Sequence, residues 1–145
     1  MYKRKYSKVF ISSKIADEQQ QELNREIYKV CYKLNFDTYL PQIAVPIDTT
    51  MTPLQILEVN ERAVNESDLL LMVFDKAGAG GGMEYQRALI LQKPIIGYRS
   101  ITSLRTEQLG VMIEGAWERI PKEYKASTIK RLENILTKMS LEGEK

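Results

Sequence analysis

Apolar and polar positions divide the chain into short apolar runs separated by longer stretches with helical spacing. The first run, KVFIS at Lys8–Ser12, predicts a strand that closes on two small hydroxyl residues, Ser12 and Ser13. Over 17–34, Leu23, Ile27, Val30, Cys31 and Leu34 recur at helical intervals. The acidic start of that stretch, Asp17 and Glu18, suits the positive end of a helix. Asn35 is expected to close it in a left-handed conformation. A second short strand is predicted over 36–40, stopped by Pro41, and 42–50 reads as loop. Thr52, Pro53 and Gln55 form a helix start: a Thr N-cap, Pro at the first helical position and Gln three residues after the cap. That helix runs to Glu66, with Leu54, Leu57, Ala63 and Val64 expected on its buried face.

An unbroken apolar run at 69–74 follows, bounded by Asp68 and Asp75, as in a strand covered on both faces within a parallel sheet. Gly78 and Gly80 to Gly82 read as a glycine-rich loop. Residues 83–91 read as a helix with Glu84 in its first turn, and 94–98 as a fourth strand. Beyond Ser100 the pattern thins to a loop at 102–106, a short helix at 107–114 and a fifth strand at 117–120. The helix at 127–140 is better marked, with Ile129, Leu132, Ile135, Leu136 and Met139 on one face. Strands alternating with helices in this way predict one domain over 1–145. Its class is α/β, a doubly wound, flavodoxin-like three-layer sandwich of about five parallel strands in the order 2-1-3-4-5. Such sheets bind ligands beyond the carboxyl ends of their strands, where the strand order reverses. Ser12, Ser13, Asp75 and the glycine-rich stretch are expected to converge there.

Composition removes several classes of function. Twenty-one basic against 19 acidic residues leave a formal charge of +2, which predicts neither nucleic acid nor a membrane surface as partner. The basic start, Lys3, Arg4, Lys5 and Lys8, reads as a solvated lead-in to the first strand. The single cysteine, Cys31, lies on an apolar helix face and predicts a buried, inert thiol in a reducing compartment. No signal peptide or membrane span is visible, so a cytoplasmic location is expected. Histidine is absent, which removes Ser–His and Cys–His pairs and the usual zinc sites. No metal or other cofactor is expected, and chemistry falls to Glu, Asp, Lys, Tyr or Ser.

The glycine-rich stretch is not a phosphate loop of either common kind. A P-loop needs Lys and Ser or Thr at the start of the following helix, where Met83 and Glu84 stand. A dinucleotide fingerprint needs its third glycine at Met83, and should follow the first strand rather than the third. The plain reading is a flexible loop and a Glu that complements the helix dipole. The functional one is a loop that lets a ligand approach the backbone while the dipole keeps Glu84 ionised. An ionised, partly desolvated carboxylate with no histidine partner suits attack on an electrophilic sugar carbon, as in retaining glycosidases.

Several stretches carry a family resemblance: VFISS near the start, YLP after the second strand, N-x-x-A-V-x-x-S-D-L-L-L-M-V-F-D, and GGGMEYQRALILQKPIIGYRS. Together they resemble the nucleoside 2-deoxyribosyltransferase family, including the related nucleoside 5'-monophosphate N-glycosidases, from Lys8 to about Ala116. The resemblance implies Glu84 as the nucleophile that attacks the anomeric carbon, and a nucleoside or nucleotide as substrate. It implies a substrate site built from Phe10, Ser12, Ser13, Asn60, Asp75, Gly80, Gly82 and Met83, and a homodimer or larger homo-oligomer. Met112, Ile113 and Trp117 are candidates for the apolar contact between subunits.

The chain also departs from the family pattern. Asn60 stands where an aspartate handles the base and its proton, and an amide cannot exchange a proton at neutral pH. Gly78 replaces the Asp or Ser that holds the 5'-position, Gly110 the Asn or Ser sent in by a neighbouring subunit, Phe10 a tyrosine, and Gln86 a glycine. Lys14, Arg99, Tyr85 and Tyr98 are further candidate contacts, the two tyrosines more simply as packing residues. Two other functions stay open on the same scaffold. One is a nucleotide-binding sensor without turnover; the other is a TIR-like enzyme that cleaves NAD, whose charged nicotinamide leaves without needing a proton.

Overall fold

The computed structural model describes residues 3–46 and 48–143. At its centre Lys8–Ser12 (β1) pairs in parallel with Asp37–Tyr39 (β2) on one side and Leu69–Val73 (β3) on the other. Ile95–Tyr98 (β4) and Lys125–Ala126 (β5) extend the sheet beyond β3, giving the predicted order β2-β1-β3-β4-β5 with every pairing parallel. Among the described residues seven α-helices connect and cover it: Glu18–Lys33 (α1), Pro41–Ala44 (α2), Pro53–Glu66 (α3), Ala79–Ile90 (α4), Ile101–Thr106 (α5), Val111–Arg119 (α6) and Ile129–Ser140 (α7).

Each sheet face has its own core, as a doubly wound sheet requires. Val9, Ile11, Leu69, Leu71 and Ile96 meet Ile27 and Cys31 of α1 and Leu132 and Leu136 of α7. Phe10, Leu70 and Met72 point the other way, onto Val64 of α3, Tyr85 and Ala88 of α4, and Ile113 and Ala116 of α6. All five residues of β3 are buried, which is why its sequence is apolar without alternation. Burial pushes the Cys31 thiol up to about 12, so it stays protonated and inert.

The helix starts follow the sequence signals. Asp17 caps α1 by accepting from the Gln20 amide at 2.8 Å, and Asn35 follows the helix at φ 62°. Thr52 and Gln55 form a complete capping box on α3, and Thr128 caps α7. At the amino end of the sheet, Asp68 Oδ2 accepts from the Ser7 and Lys8 amides at 2.8 and 2.9 Å. This ties the start of β1 to the start of β3, in the register that pairs Val9 with Leu69 and Ser12 with Met72. Arg4 is not simply solvated: its guanidinium donates to the carbonyls of Leu34 and Asn35, satisfying the end of α1, and lies over the Phe36 ring.

Four expectations are corrected. The fifth strand is not 117–120 but Lys125–Ala126; Trp117 lies in α6 and Ile120 ends it, three residues apart, and both pack onto Gly97. Short helices occupy Pro41–Ala44 and Ile101–Thr106, where loop was expected. Leu54 and Leu57 are exposed, because α3 rests on the sheet through Val64 and turns those leucines outward. Finally, Gly80 to Gly82 form the first turn of α4 rather than a loop, and no described glycine has a positive φ.

Candidate functional site

The glycine turn explains how α4 is seated. A Cβ on Gly81 would lie 3.3 Å from Met72 Cε and 3.7 Å from Ser12 Oγ; one on Gly82 would lie 3.3 Å from Ile113 Cδ1. Without side chains, the first turn rests directly on the carboxyl ends of β1 and β3, which offsets the usual helix penalty of about 1 kcal/mol per glycine. Close seating brings the next turn, and Glu84 with it, over the end of β1. There Ser12 Oγ donates to Glu84 Oε1 at 2.7 Å.

Burial raises the Glu84 carboxyl to about 7, and the Ser12 hydrogen bond opposes that rise only in part. The expected ionisation by the helix dipole is therefore corrected. Glu84 stands beyond the first turn, where the unpaired N–H groups are, and desolvation outweighs them. Near neutral pH the group is divided between acid and carboxylate.

Glu84 opens onto a groove of about 900 Å³ between α3 and α4. Its walls are mainly apolar, with Ile56, Leu57, Val64, Met83, Ile90 and Leu91; Asn60 and Gly80 also line it. An ion pair lines it as well, Arg87 to Glu61 at 2.8 Å. Asn60 is held from behind, since Tyr39 at the end of β2 donates its hydroxyl to Asn60 Oδ1 at 2.8 Å. The Tyr39 ring stacks on Phe10, 5.1 Å between centroids and 14° from parallel. Burial and then the charge of Glu84 hold the Tyr39 phenol above its usual range.

Of the residues singled out in the sequence, Asn60, Gly80, Met83 and Glu84 line the groove, and the buried Ser12 reaches it through Glu84. Phe10 is fully buried and supports Tyr39 instead of facing a ligand. Gly82 is turned toward α6. Ser13 Oγ is buried with no hydrogen-bond partner among the described residues. Asp75 accepts from the amide and the hydroxyl of Ser100, and lines a separate cavity of about 380 Å³ with Gln20, Lys76 and Glu107.

Arg99 is buried and spent on Glu114, the Glu107 carbonyl and Ser103. Tyr85 and Tyr98 are packing residues, Lys14 is exposed, and Gly78 is the N-cap of α4. Tyr39 was not anticipated as part of the site; the signal available was its place beside Phe10 across the first two strands.

The arrangement offers one carboxylate with an oxygen held by a hydroxyl and a face open to an apolar groove. Among the described residues no cluster of His, Cys, Asp or Glu could hold a metal ion, and no helix is long and apolar enough to cross a membrane.

No family model matches the chain, and no curated protein matches it by sequence. Its fold does match solved structures. A conserved protein from Enterococcus faecalis V583 superposes with a TM-score of 0.75 at 16% identity, over 92% of this chain and 98% of that one. A 2-deoxyribosyltransferase from Bacillus psychrosaccharolyticus gives 0.61 at 16% identity, over 76% of this chain and 82% of that one. The CMP N-glycosidase BcmB of Clostridium botulinum gives 0.58 at 17% identity, over 90% and 95%. At such identities the likeness establishes a shared fold.

Proposed function

We propose that this chain, read as one nucleoside 2-deoxyribosyltransferase-like domain over 1–145, breaks the N-glycosidic bond of a nucleoside or nucleotide. The glycosyl group passes through an ester on Glu84 to water or to a second base. The observation that carries this reading is the Ser12–Glu84 hydrogen bond of 2.7 Å, which holds one carboxylate oxygen and leaves the other to the groove. The fold shared with a 2-deoxyribosyltransferase and a CMP N-glycosidase supports the same reading.

In this mechanism the free Glu84 oxygen attacks C1', the C1'–N bond breaks, and its electron pair leaves with the base. Water or another base then attacks the same carbon from the vacated side and restores the carboxylate. Only the ionised carboxyl is a nucleophile, so activity rises as pH passes through about 7. The apolar walls lower the local dielectric around the oxocarbenium-like transition state and strengthen each electrostatic contact to it.

The chain is also proposed to act as a homodimer or larger homo-oligomer. Leu54, Ile90, Val111 and Met112 are exposed apolar residues available to such a contact, whereas Ile113 is buried and Trp117 packs against Phe74 within the chain. The test is base release from 2'-deoxynucleosides, ribonucleosides and their 5'-monophosphates, with mass spectrometry of the quenched enzyme for a glycosyl adduct on Glu84. Release unaffected in Glu84→Ala overturns the nucleophile. A second reading, a nucleotide sensor without turnover, is favoured by the amide at Asn60, where the family resemblance implies an acid. Ligand-dependent thermal shifts with no base released would support it.

A further inference from the structure

Resting on the reading just given, the geometry points to a restricted class of leaving group: a base that departs as an anion delocalised onto a carbonyl oxygen next to the glycosidic nitrogen, as in a keto pyrimidine, and not one that must first be protonated. Tyr39 enforces this choice by fixing the orientation of Asn60.

The proton donors around the groove can be taken in turn. Glu84 has one oxygen on Ser12 and is needed ionised. Glu61 is engaged by Arg87, 2.8 Å away on the facing helix. The Tyr39 hydroxyl already donates to Asn60, and its acidity is suppressed by burial and by Glu84. Histidine is absent from the chain. A base whose departure depends on a proton from the protein, as an aminopurine's does, finds no uncommitted acid among the described residues lining the groove.

Asn60 supplies something else. Tyr39 occupies Oδ1, so the carboxamide is anchored with its acceptor turned to the protein. Among the described residues Asn60 Nδ2 has no hydrogen-bond partner, and Asn60 lines the groove beside Glu84. An amide so fixed offers N–H groups alone, and N–H groups recognise an oxygen that gains negative charge as the bond breaks. This is the arrangement of an oxyanion hole, in which the contact strengthens in the transition state.

The step balances without a further co-reactant. The free oxygen of Glu84 forms a bond to C1' as the C1'–N bond breaks, and the pair spreads from nitrogen to the carbonyl oxygen facing Asn60. The base leaves as an anion and takes its proton from solvent after release. Water then opens the ester, giving its hydroxyl to C1' and its proton to solvent.

Tyr39 is a positioning residue, and the test reads selectivity rather than rate alone. Base release is measured for 2'-deoxyuridine, 5-fluoro-2'-deoxyuridine, 2'-deoxyadenosine and NAD with the wild-type chain, Tyr39→Phe and Asn60→Asp. The wild type is expected to favour the keto pyrimidines, with the fluorinated base, whose anion is more stable, released fastest. Tyr39→Phe frees the amide to turn its oxygen toward the base and is expected to lower the deoxyuridine-to-deoxyadenosine ratio in kcat/KM about tenfold. Asn60→Asp introduces a titrating acid and is expected to raise deoxyadenosine release relative to deoxyuridine, most strongly at low pH.

Equal release from all bases, preferred release from deoxyadenosine or of nicotinamide from NAD, or an unchanged ratio in Tyr39→Phe overturns the inference while leaving Glu84 chemistry standing. No base released from any substrate overturns the function itself, and this inference with it. Circular dichroism of each variant separates a changed ratio from a failure to fold.

Discussion

Ser12 and Glu84 are 72 residues apart in sequence and 2.7 Å apart in space, with the hydroxyl donating to a carboxyl that burial would otherwise keep mostly protonated. The bond joins the end of β1 to the second turn of α4, and it sets both the direction and the acidity of the proposed nucleophile. Ser12→Ala removes the one contact that opposes desolvation, so the Glu84 carboxyl rises above about 7. The rising limb of base release should move to higher pH. The loss is expected to be about tenfold near neutrality, shrinking when the assay is run about two pH units higher. A uniform loss at every pH would assign Ser12 to positioning alone.

Glu84→Gln should be inactive yet more stable than the wild type in alkaline solution. The folded carboxyl holds its proton to about 7, against 4.5 for an unperturbed group. Folding therefore binds a proton between those values, and stability is full below about 4.5 and declines as pH rises through about 7. The difference amounts to about 3 kcal/mol. Thermal unfolding should show the variant's advantage grow between about pH 4.5 and 7, level off above that and vanish in acid; an advantage independent of pH would place its origin outside this titration.

The surroundings of two glycines, Gly80 in α4 and Gly97 in β4, are tested by alanine substitutions with opposite signs. Nothing lies within 4 Å of a Cβ added to Gly80, so Gly80→Ala should stabilise the first turn of α4 by about 0.5–1 kcal/mol. A Cβ on Gly97 would meet Ile120 Cδ1 at 2.7 Å, Trp117 Cζ3 at 3.1 Å and Phe74 Cε1 at 3.2 Å. Gly97→Ala should therefore cost about 1–3 kcal/mol. Urea unfolding reads both. Destabilisation by Gly80→Ala would contradict a helical turn there.

Among the described residues Arg99 and Glu114 form the best-enclosed ion pair, with two hydrogen bonds of 2.8 and 2.9 Å. Glu114→Gln leaves the buried guanidinium without its counter-charge and should cost about 1–3 kcal/mol. The guanidinium holds the Glu114 carboxyl below the usual range. Its stabilisation is thus present above the unfolded value and lost as pH falls through the folded one. The gap between wild type and variant in urea midpoint should close in acid; a gap that persists there would point to packing rather than charge.

The strands that carry the site were legible because burial on both faces writes a continuous apolar run, as in β3, and because caps such as Asp17 and Thr52 use the same local chemistry in a peptide as in a fold. The carboxyl-terminal third was less legible for the opposite reason. Lys125–Ala126 joins the edge of the sheet with two residues and no apolar run, while Trp117 and Ile120 look strand-like until their three-residue spacing is placed on a helix. Gly80 to Gly82 misled because propensity describes an isolated helix, and here contact with Met72 and Ile113 decides. Glu84 was found by pattern, but not its acidity, which depends on enclosure that no local window contains. Tyr39 was hidden because its role lies in a partner 21 residues away.

The Asp68 carboxylate that gathers the Ser7 and Lys8 amides makes no contact with the groove, yet the position of the Ser12 hydroxyl is measured from it. β1 is a ruler with its zero at that end, and its tip falls about 13 Å further on, at roughly 3.3 Å per residue. Because parallel strands have no hairpin to set their register, a loosened zero would move Ser12 along the sheet while Glu84 stayed with its helix. The acidity of the site is in that sense calibrated from the opposite edge of the molecule.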